Sequence, residues 1–534
     1  MGEGAGGVMP SIARPFRRDA RTPIVRPSQA LPESPAPMTE PCDLTAVEAR
    51  RLIGRKGLAP TELLESCIAR IEAVDHAVNA MVARDFDRAR AAARKADDAV
   101  AHAKALPPLH GLPIGIKDLE ETEGLRTTHG SVIFRDYVPT QDERVVAVAR
   151  QAGAIVIGKT NTPEFGAGAN TRNAVYGATG NPFDPAKSCA GSSGGSAVAL
   201  ATGMAPICTG SDTGGSLRNP AGFCGIVGFR PTPGLVPSDK RGIGWSNLPV
   251  LGPMARTVAD TCLLLGSIAG GDPRDPLAAT VHGRDVHHPG DFYPPAEVDL
   301  SRLRVALTPD FGFAPTERHI ADVFAEKTAL FRHVFARVED TTPDCSGIDE
   351  SFEVLRAVGF LSSHAEKVRT RPQDVGPNVR ANVAEGQRYS AADVARAQTL
   401  QTTIYRRWQA FFQTHDVIIT PTITISPRSW RELFPAEIDG KATRTYFHWL
   451  ALAYAVTLPG HPAVSLPVGV DRNGMPFGLQ IVGPRGGDAF VLSVAAELER
   501  MLAGDARTAR PVPDLAKLKA ARPISEMEGF IGFD

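Results

Sequence analysis

Apolar residues recur at helical spacing along the first stretch of the chain that has a regular pattern. Thr45 and Glu48 have the spacing of a helix-capping box, and they precede an apolar stripe that starts at Ala46. The pattern predicts a helix from that point, a second helix opening at Thr61, and a third, rich in alanine and arginine, over residues 83–104. These helices are expected to cover a larger body.

From residue 105 the pattern changes to short apolar runs separated by glycine-rich turns. Strands are predicted at residues 114–116, 154–157, 303–307, 417–420, 463–468 and 478–482. Helical patterns alternate with them at 145–153, 255–269, 318–337, 391–414 and 488–502. Alternating helices and continuous apolar strands indicate an α/β fold with a mostly buried β-sheet.

The chain divides by composition into a tail, one large domain and an extension. Residues 1–42 are rich in proline, glycine and arginine and lack any apolar period, which predicts a disordered N-terminal tail, and Met38 is an alternative start. Residues 43–502 are predicted to form a single domain, with 345–460 as a candidate lobe on the substrate side, and 503–534 a C-terminal extension. The lobe's aromatic residues are expected to be core rather than pocket lining: Phe352, Phe360, Tyr389, Phe447 and Trp449.

Overall charge and cysteine usage exclude several classes of function. The net charge of −1 offers no bulk attraction to nucleic acid or to an anionic membrane surface. Seven scattered cysteines without a CxxC pair argue against a disulfide framework or a zinc cluster, and they fit a reducing, cytoplasmic location. No apolar run approaches the roughly 18 residues that a membrane-spanning helix needs.

Two serine-glycine loops contain most of the candidate catalytic residues. They span residues 189–196 and 210–220, and the small and apolar residues between them suggest one buried helix and one strand. That arrangement places both loops at the same end of a sheet, where α/β proteins form their sites. The amides of Thr213, Gly214, Gly215 and Ser216 form a candidate oxyanion hole with Ser216 as nucleophile.

Two other interpretations use the same loops. A phosphate cradle would need a Gly-Lys-Ser/Thr ending, which neither loop has. Residues 191–195 match the G-x-S-x-G elbow of α/β-hydrolases, but that elbow follows directly on a strand. The preceding residues 181–188 contain two prolines and no β-branched residue, so no strand is expected there.

A serine nucleophile needs a base, and Lys117 is the best candidate. It follows the predicted strand at 114–116, so burial is expected to lower its pKa towards neutrality. Among thirteen histidines none lies in a motif that recommends it, and His461 is the least unsuitable. From the residues alone, Ser192 and Ser193 are equally good partners for this lysine.

The motifs at 111–118, 158–165, 191–196, 212–218, 225–232 and 474–483 occur together and in an order that resembles the amidase signature family. The resemblance covers about residues 45 to 502 and leaves both tails outside. It departs from the usual pattern at Cys189, Ala190, Thr457 and Pro459, positions that concern substrate fit.

The resemblance implies a triad in which Ser216 accepts the acyl group, Ser192, preceded by a cis peptide bond, relays the proton, and Lys117 is the final base. It also implies a substrate-side role for Gly166, a large mixed sheet surrounded by helices, and neither a metal nor an organic cofactor. Asp212 and Arg218 are expected to brace the nucleophile loop.

The expected function is hydrolysis of a carboxamide, aryl amide or carbamate C–N bond through a Ser216 acyl-enzyme, releasing ammonia or an amine. The expected partner is a small-molecule substrate, without nucleic acid or membrane, and we allow for a homodimer. The alternative is the glutaminase component of a tRNA-dependent amidotransferase, which passes ammonia to a partner protein.

Overall fold

The computed structural model describes residues 40–102, 105–282 and 284–532. Within these residues, eleven strands form one large sheet. In chain order, β1–β11 are Met81–Arg84, Pro113–Lys117, Ile155–Thr160, Ile207–Asp212, Val227–Arg230, Val250–Ala255, Arg304–Leu307, Arg337–Asp340, Val417–Pro421, Ala463–Val470 and Pro476–Val482. The helices α1–α14 are Ala46–Gly54, Pro60–Val78, Phe86–His102, Arg144–Gln151, Gly194–Ala201, Arg218–Cys224, Val258–Ile268, Arg318–Ala329, Ile348–Thr370, Pro377–Gly386, Ala391–Phe411, Ala451–Thr457, Asp488–Leu502 and Leu515–Ala520.

The sheet is mixed. Its strand order is β1-β3-β2-β4-β6-β5-β10-β11-β9-β7-β8. Strand β2 runs parallel to β3 and β4, and β7 runs parallel to β8 and β9, whereas the other neighbouring strands are antiparallel. The predicted α/β fold, with a large mixed and mostly buried sheet surrounded by helices, is confirmed.

The centre of the sheet is packed with small residues, which lets two buried helices approach it closely. Helix α5 and helix α6 are buried along their whole length. Gly228 of β5 lies directly beneath the start of α6, where an added Cβ atom would be 2.1 Å from the Leu217 carbonyl oxygen. Only a glycine permits this approach, which fixes the turn before α6 relative to the sheet.

Several predicted elements match the structure and several do not. Helix α1 begins with the predicted capping box, in which Thr45 Oγ1 accepts a hydrogen bond from the Glu48 amide at 3.1 Å. The helix predicted over 83–104 instead follows strand β1, whose backbone pairs with β3. The helix predicted over 318–337 ends at Ala329, and the polar edge strand β8 follows it.

The two ends of the chain differ in what the structure describes. Of the predicted tail 1–42, residues 1–39 lie outside the described residues, and Pro41–Asp43 form one 3₁₀ turn. The extension 503–534 is described up to residue 532, and in it Leu518 and Ile524 are buried. Helix α14 packs against α2. None of the helices among the described residues is long and apolar enough to cross a membrane.

Candidate active site

Lys117 is the last residue of β2, an internal strand of the sheet. Its side chain is completely buried at the carboxyl end of this strand. Its Nζ atom donates hydrogen bonds to three hydroxyl oxygens: Ser192 Oγ at 2.7 Å, Ser193 Oγ at 2.8 Å and Ser211 Oγ at 2.9 Å. Burial lowers the pKa of Lys117 to about 7, against the opposing effects of Glu120 and Asp212. A lysine in this environment can lose its proton near neutral pH.

Ser192 and Ser193 belong to the loop that leads into α5. The peptide bond between Gly191 and Ser192 is cis. Ser193 is fully buried, and its Oγ atom lies 3.4 Å from both the carbonyl oxygen and the amide nitrogen of Ser211. Ser192 lines a cavity, whereas Ser193 is absent from that lining. The two hydroxyls therefore contact the same ammonium group but differ in their access to the cavity.

Ser216 lies in the turn between β4 and α6. Because β2 and β4 are parallel neighbours, their carboxyl ends meet at the same edge of the sheet. The Ser193 amide donates a hydrogen bond to the Ser216 carbonyl oxygen at 3.3 Å, which ties the two serine loops together. Ser216 is partly exposed and lines the same cavity as Ser192. The prediction that both loops lie at one end of the sheet is confirmed.

Gly215 requires a correction to the predicted oxyanion hole. Its φ angle is +110°, and an added Cβ atom would be 2.4 Å from Asn219 Nδ2. Its amide donates a hydrogen bond to Asp212 Oδ1 at 2.9 Å, so this N–H is already used within the loop. The Gly214 and Ser216 amides donate to no backbone or side-chain acceptor within the described part of the chain.

Asp212 is a buried carboxylate that holds this turn in place. It accepts hydrogen bonds from Arg218 Nε at 3.0 Å and from Arg230 Nη1 at 3.1 Å, and from the Leu217 amide at 3.2 Å. Burial alone would raise the pKa of Asp212, but the two guanidinium groups hold that pKa well below its usual range. These contacts fit the bracing role expected of Asp212 and Arg218.

The cavity in front of the serines has a volume of about 200 Å³. Its near side is formed by Gly166, Ser192, Thr213, Gly214 and Ser216. At Gly166, where φ is +70°, an added Cβ atom would be 3.4 Å from Ser192 Oγ. The absence of a side chain there leaves room beside the serine.

The opposite side of the cavity is largely apolar and comes from helix α9 and residues 446–450. Phe352, Phe360 and Phe447 all line it, which corrects the expectation that these aromatics are only core residues. Phe352 and Phe447 are also buried and belong to the main core cluster, so they contribute to both the core and the cavity wall. Trp449, by contrast, is buried away from this cavity.

Two other predictions about candidate groups are resolved by the structure. His461 lies outside the cavity: it is buried, its Nδ1 atom is 2.8 Å from the Gly483 carbonyl oxygen, and burial lowers its pKa to about 4. The segment before the first serine loop does contain a strand, Asp184–Ser188, contrary to expectation. That strand forms a two-stranded ladder with Gly180–Asn181 outside the main sheet and a single bridge from Lys187 to Ser429, so it differs from the strand of a hydrolase elbow.

Three polar groups near the site carried no recognisable signal in the sequence. Ser211 approaches Lys117 because β2 and β4 are neighbouring strands. Glu120 approaches it because the turn after β2 brings the Glu120 amide to 3.0 Å from the Lys117 carbonyl oxygen. Arg356 reaches the cavity from a helix that the sequence did not predict. Among the described residues, no three His, Cys, Asp or Glu side chains are grouped so that they could hold a metal ion.

Comparison with known proteins agrees with this geometry. The family model described as Amidase matches residues 62–492. The chain therefore belongs to the amidase family, and the resemblance seen in its motifs is confirmed. It is an enzyme that hydrolyses amide C–N bonds.

Similar proteins differ in the activities that their names give. An acylamidase of Rhodococcus erythropolis is 33% identical over 462 residues, covering 85% of this chain and 95% of that protein. A glutamyl-tRNA(Gln) amidotransferase subunit of Anaeromyxobacter dehalogenans (strain 2CP-C) is 33% identical over 497 residues, covering 87% and 98%. Among solved structures, a bacterial aryl acylamidase of the amidase signature family superposes with a TM-score of 0.79 at 25% identity, covering 90% of this chain and 99% of that one.

Proposed function

We propose that this enzyme hydrolyses small carboxamides, aryl amides or carbamates through an acyl-enzyme on Ser216, without a partner protein. The main support is the buried Lys117 side chain, whose Nζ atom lies 2.7 Å from Ser192 Oγ. Ser192 and Ser216 line the same cavity. The pKa of Lys117, lowered by burial to about 7, makes the neutral amine available at neutral pH.

In the proposed mechanism Ser216 Oγ attacks the carbonyl carbon of the substrate. Its proton passes to Ser192, whose own proton passes to neutral Lys117. The amides of Thr213, Gly214 and Ser216 stabilise the oxyanion, while Gly215 shapes the turn. The C–N bond then breaks as the proton returns through Ser192 to the leaving nitrogen. Water repeats these steps on the acyl-enzyme, which releases the acid and restores Ser216.

The amidotransferase relatives make a glutaminase the second candidate, and the cavity argues against it. Free glutamine carries a carboxylate, which an arginine can bind, and also an ammonium group, which a binding site normally pairs with a carboxylate. Among the described residues that line the cavity there is no Asp or Glu, whereas Arg241 and Arg356 are both present. An ammonium group would therefore be held beside positive charges, which is unfavourable.

The location and the assembly are also proposals. All seven cysteines are free and buried, which supports a reducing cytoplasm. A homodimer remains a prediction, which sedimentation equilibrium of the full chain tests.

Ser216→Ala tests the proposed nucleophile. We expect loss of covalent labelling by a fluorophosphonate and a fall in kcat on the order of 10⁶-fold on a simple anilide, because a triad acts as a unit. Ser301→Ala, at an exposed serine that bonds to Asp299, is the matched control. Stoichiometric labelling of Ser216→Ala with retained activity would show that another residue is the nucleophile. A purified chain active only on glutamine would support the glutaminase instead.

A further inference from the structure

Two arginines, Arg241 and Arg356, line the described part of the cavity, and they differ in whether a carboxylate lies beside the positive charge. Arg241 lies 3.5 Å from the Asp275 carboxylate and donates hydrogen bonds to the Gly244 and Ser246 carbonyl oxygens at 3.3 Å. Arg356, on helix α9, has no Asp or Glu oxygen within 4.0 Å among the described residues. Arg241 is thus a paired structural charge, whereas Arg356 makes no ion pair with a carboxylate in the described part of the chain.

Arg356 is also strongly buried, with 8% of the residue's surface exposed. Its guanidinium carbon lies 4.5 Å from the centre of the Phe360 ring, 4.8 Å from that of Tyr446 and 4.6 Å from that of Phe447. Aromatic rings attract a cation through their faces.

The hydrogen-bonding capacity of Arg356 is largely unused. Five N–H donors lie in the plane of a guanidinium group. In the described structure only Nη1 finds an acceptor, the side-chain oxygen of Asn382. The remaining nitrogen atoms of Arg356 are not fully buried, so these free donors are accessible from the cavity that Arg356 lines. A cationic donor group in a cavity is a candidate ligand-binding group.

Nearby acids do not supply the missing acceptors. Burial lowers the pKa of Arg356, and the charge of Glu385 acts in the opposite direction. Glu385 acts at longer range only: it makes no direct bond to Arg356 among the described contacts, and it accepts a hydrogen bond from the Tyr389 hydroxyl at 2.9 Å. Glu353 lies 3.3 Å from Arg444. His364 also lines the cavity, but burial lowers its pKa to about 3, so it is neutral. Apart from Arg356, this side of the cavity is lined by apolar and aromatic residues together with Ser363 and the neutral His364, and its described lining includes no acidic residue.

We propose that Arg356 binds a carboxylate on the substrate, so that the preferred substrates are amides with an acid group one short apolar spacer away from the scissile bond. The spacer would lie along Phe352 and Leu355, since both line the cavity and Phe352 lies next to Gly214 of the nucleophile loop. This inference rests on the proposed amide hydrolysis at Ser216. It extends that proposal by specifying that the preferred substrate carries one negative charge and no positive charge.

Two matched substrate pairs test the proposal on the full-length enzyme. In the first pair the acyl group varies: glutaric acid monoanilide against pentananilide. In the second pair the amine varies: 4-acetamidobenzoate against 4-methylacetanilide. Release of the arylamine gives kcat/KM for each compound. We expect the wild-type enzyme to prefer the anionic member of one pair at least tenfold, and that pair shows which side of the amide faces Arg356.

Arg356→Met should then reduce the anionic-to-neutral ratio of kcat/KM by about 10- to 100-fold, the usual effect of losing hydrogen bonds to a charged group. Because the ratio is taken within one variant, any general loss of activity cancels. Arg356→Lys should retain part of the preference, since the charge stays but the planar fork is lost. Arg369→Met, an exposed arginine on the same helix, removes the same charge and should leave the ratio as in the wild type.

Equal or lower activity on the anionic member of both pairs would overturn the proposal, as would an unchanged ratio in Arg356→Met. If that variant does not fold, benzoate and benzyl alcohol as competitive inhibitors of the wild type decide it: the carboxylate must bind more tightly. Fluorophosphonate labelling of Ser216 is followed throughout. Labelled enzyme without an anionic preference contradicts this inference alone, whereas unlabelled enzyme contradicts the proposed function.

Discussion

Lys117 combines complete burial with contacts to three hydroxyl oxygens. If it is the base, kcat/KM should rise with pH as the free enzyme's ammonium group loses its proton, with a midpoint at a pH of about 7. The sign follows from burial, which lowers the pKa of Lys117 and so favours the reactive neutral form at lower pH than in water. A pH–rate profile on a neutral anilide measures this midpoint.

Lys117→Arg distinguishes a base from a structural charge. A guanidinium group stays protonated and cannot accept the serine proton, so we expect no rescue of activity. Lys240→Arg, on a half-exposed lysine that pairs with Glu121, is the control and should keep the wild-type profile. Substantial activity in Lys117→Arg with an unchanged profile would contradict the base role.

Ser192 and Ser193 lie at nearly the same distance from Lys117, and they differ in access to the cavity. Only Ser192 lines it, so Ser192→Ala should lower kcat by orders of magnitude more than Ser193→Ala. Ser193→Ala should mainly lower thermal stability, because Ser193 is fully buried. Single-turnover acylation rates and melting temperatures of the two variants separate these effects. Equal losses in acylation would contradict the assigned relay.

At the scale of single residues, much of the candidate site could be predicted from the sequence. It indicated Lys117 and Ser216 from a strand end and a glycine loop, and the family resemblance distinguished Ser192 from Ser193. It could not indicate Ser211 or Arg356, because their roles depend on strand register and on the placement of a distant helix. Contacts between residues far apart in the chain leave no local pattern.

The turn from β4 to α6 depends on one buried carboxylate. Asp212→Asn should lower the free energy of unfolding by about 3–5 kcal/mol, because it leaves the buried guanidinium groups of Arg218 and Arg230 without their counter-ion. Urea unfolding measures the change. Asp340→Asn, in an exposed pair with Arg332, is the matched control and should have a far smaller effect. A similar effect of both substitutions would mean that Asp212 does not hold the turn.

Elements with a regular apolar period were predicted well, and α9 shows why others were not. This 23-residue helix has Ser351 and Arg356 on its buried side, where an amphipathic helix would have apolar residues. Strand β8 was missed for a related reason: its residues at the edge of the sheet are exposed or half-buried and largely polar. Both lack the contrast between apolar and polar positions that the prediction depends on.

The C-terminal extension forms part of the folded body. Leu518 and Ile524 are 2% and 1% exposed, and Ile524 packs with Trp430 and Ala178. Removing residues 504–534 should therefore destabilise the protein by several kcal/mol, since each buried aliphatic side chain contributes about 1.5–3 kcal/mol. Removing only residues 531–534, which begin at the exposed Ile531, is the control. Equal melting temperatures for the two truncated chains would show that the extension adds no stability.

The groups proposed to move protons lie between residues 113 and 216, whereas much of the opposite cavity wall comes from residues 352–364 and 446–450. Mutations in α9 can therefore alter what enters the cavity while the proton-transfer groups stay as they are. Such a division lets new specificities evolve without rebuilding the chemical step. It fits the observation that an acylamidase and a component of an amidotransferase are both 33% identical to this chain. Laboratory evolution towards a new amide would accordingly be expected to accumulate its first changes on that wall.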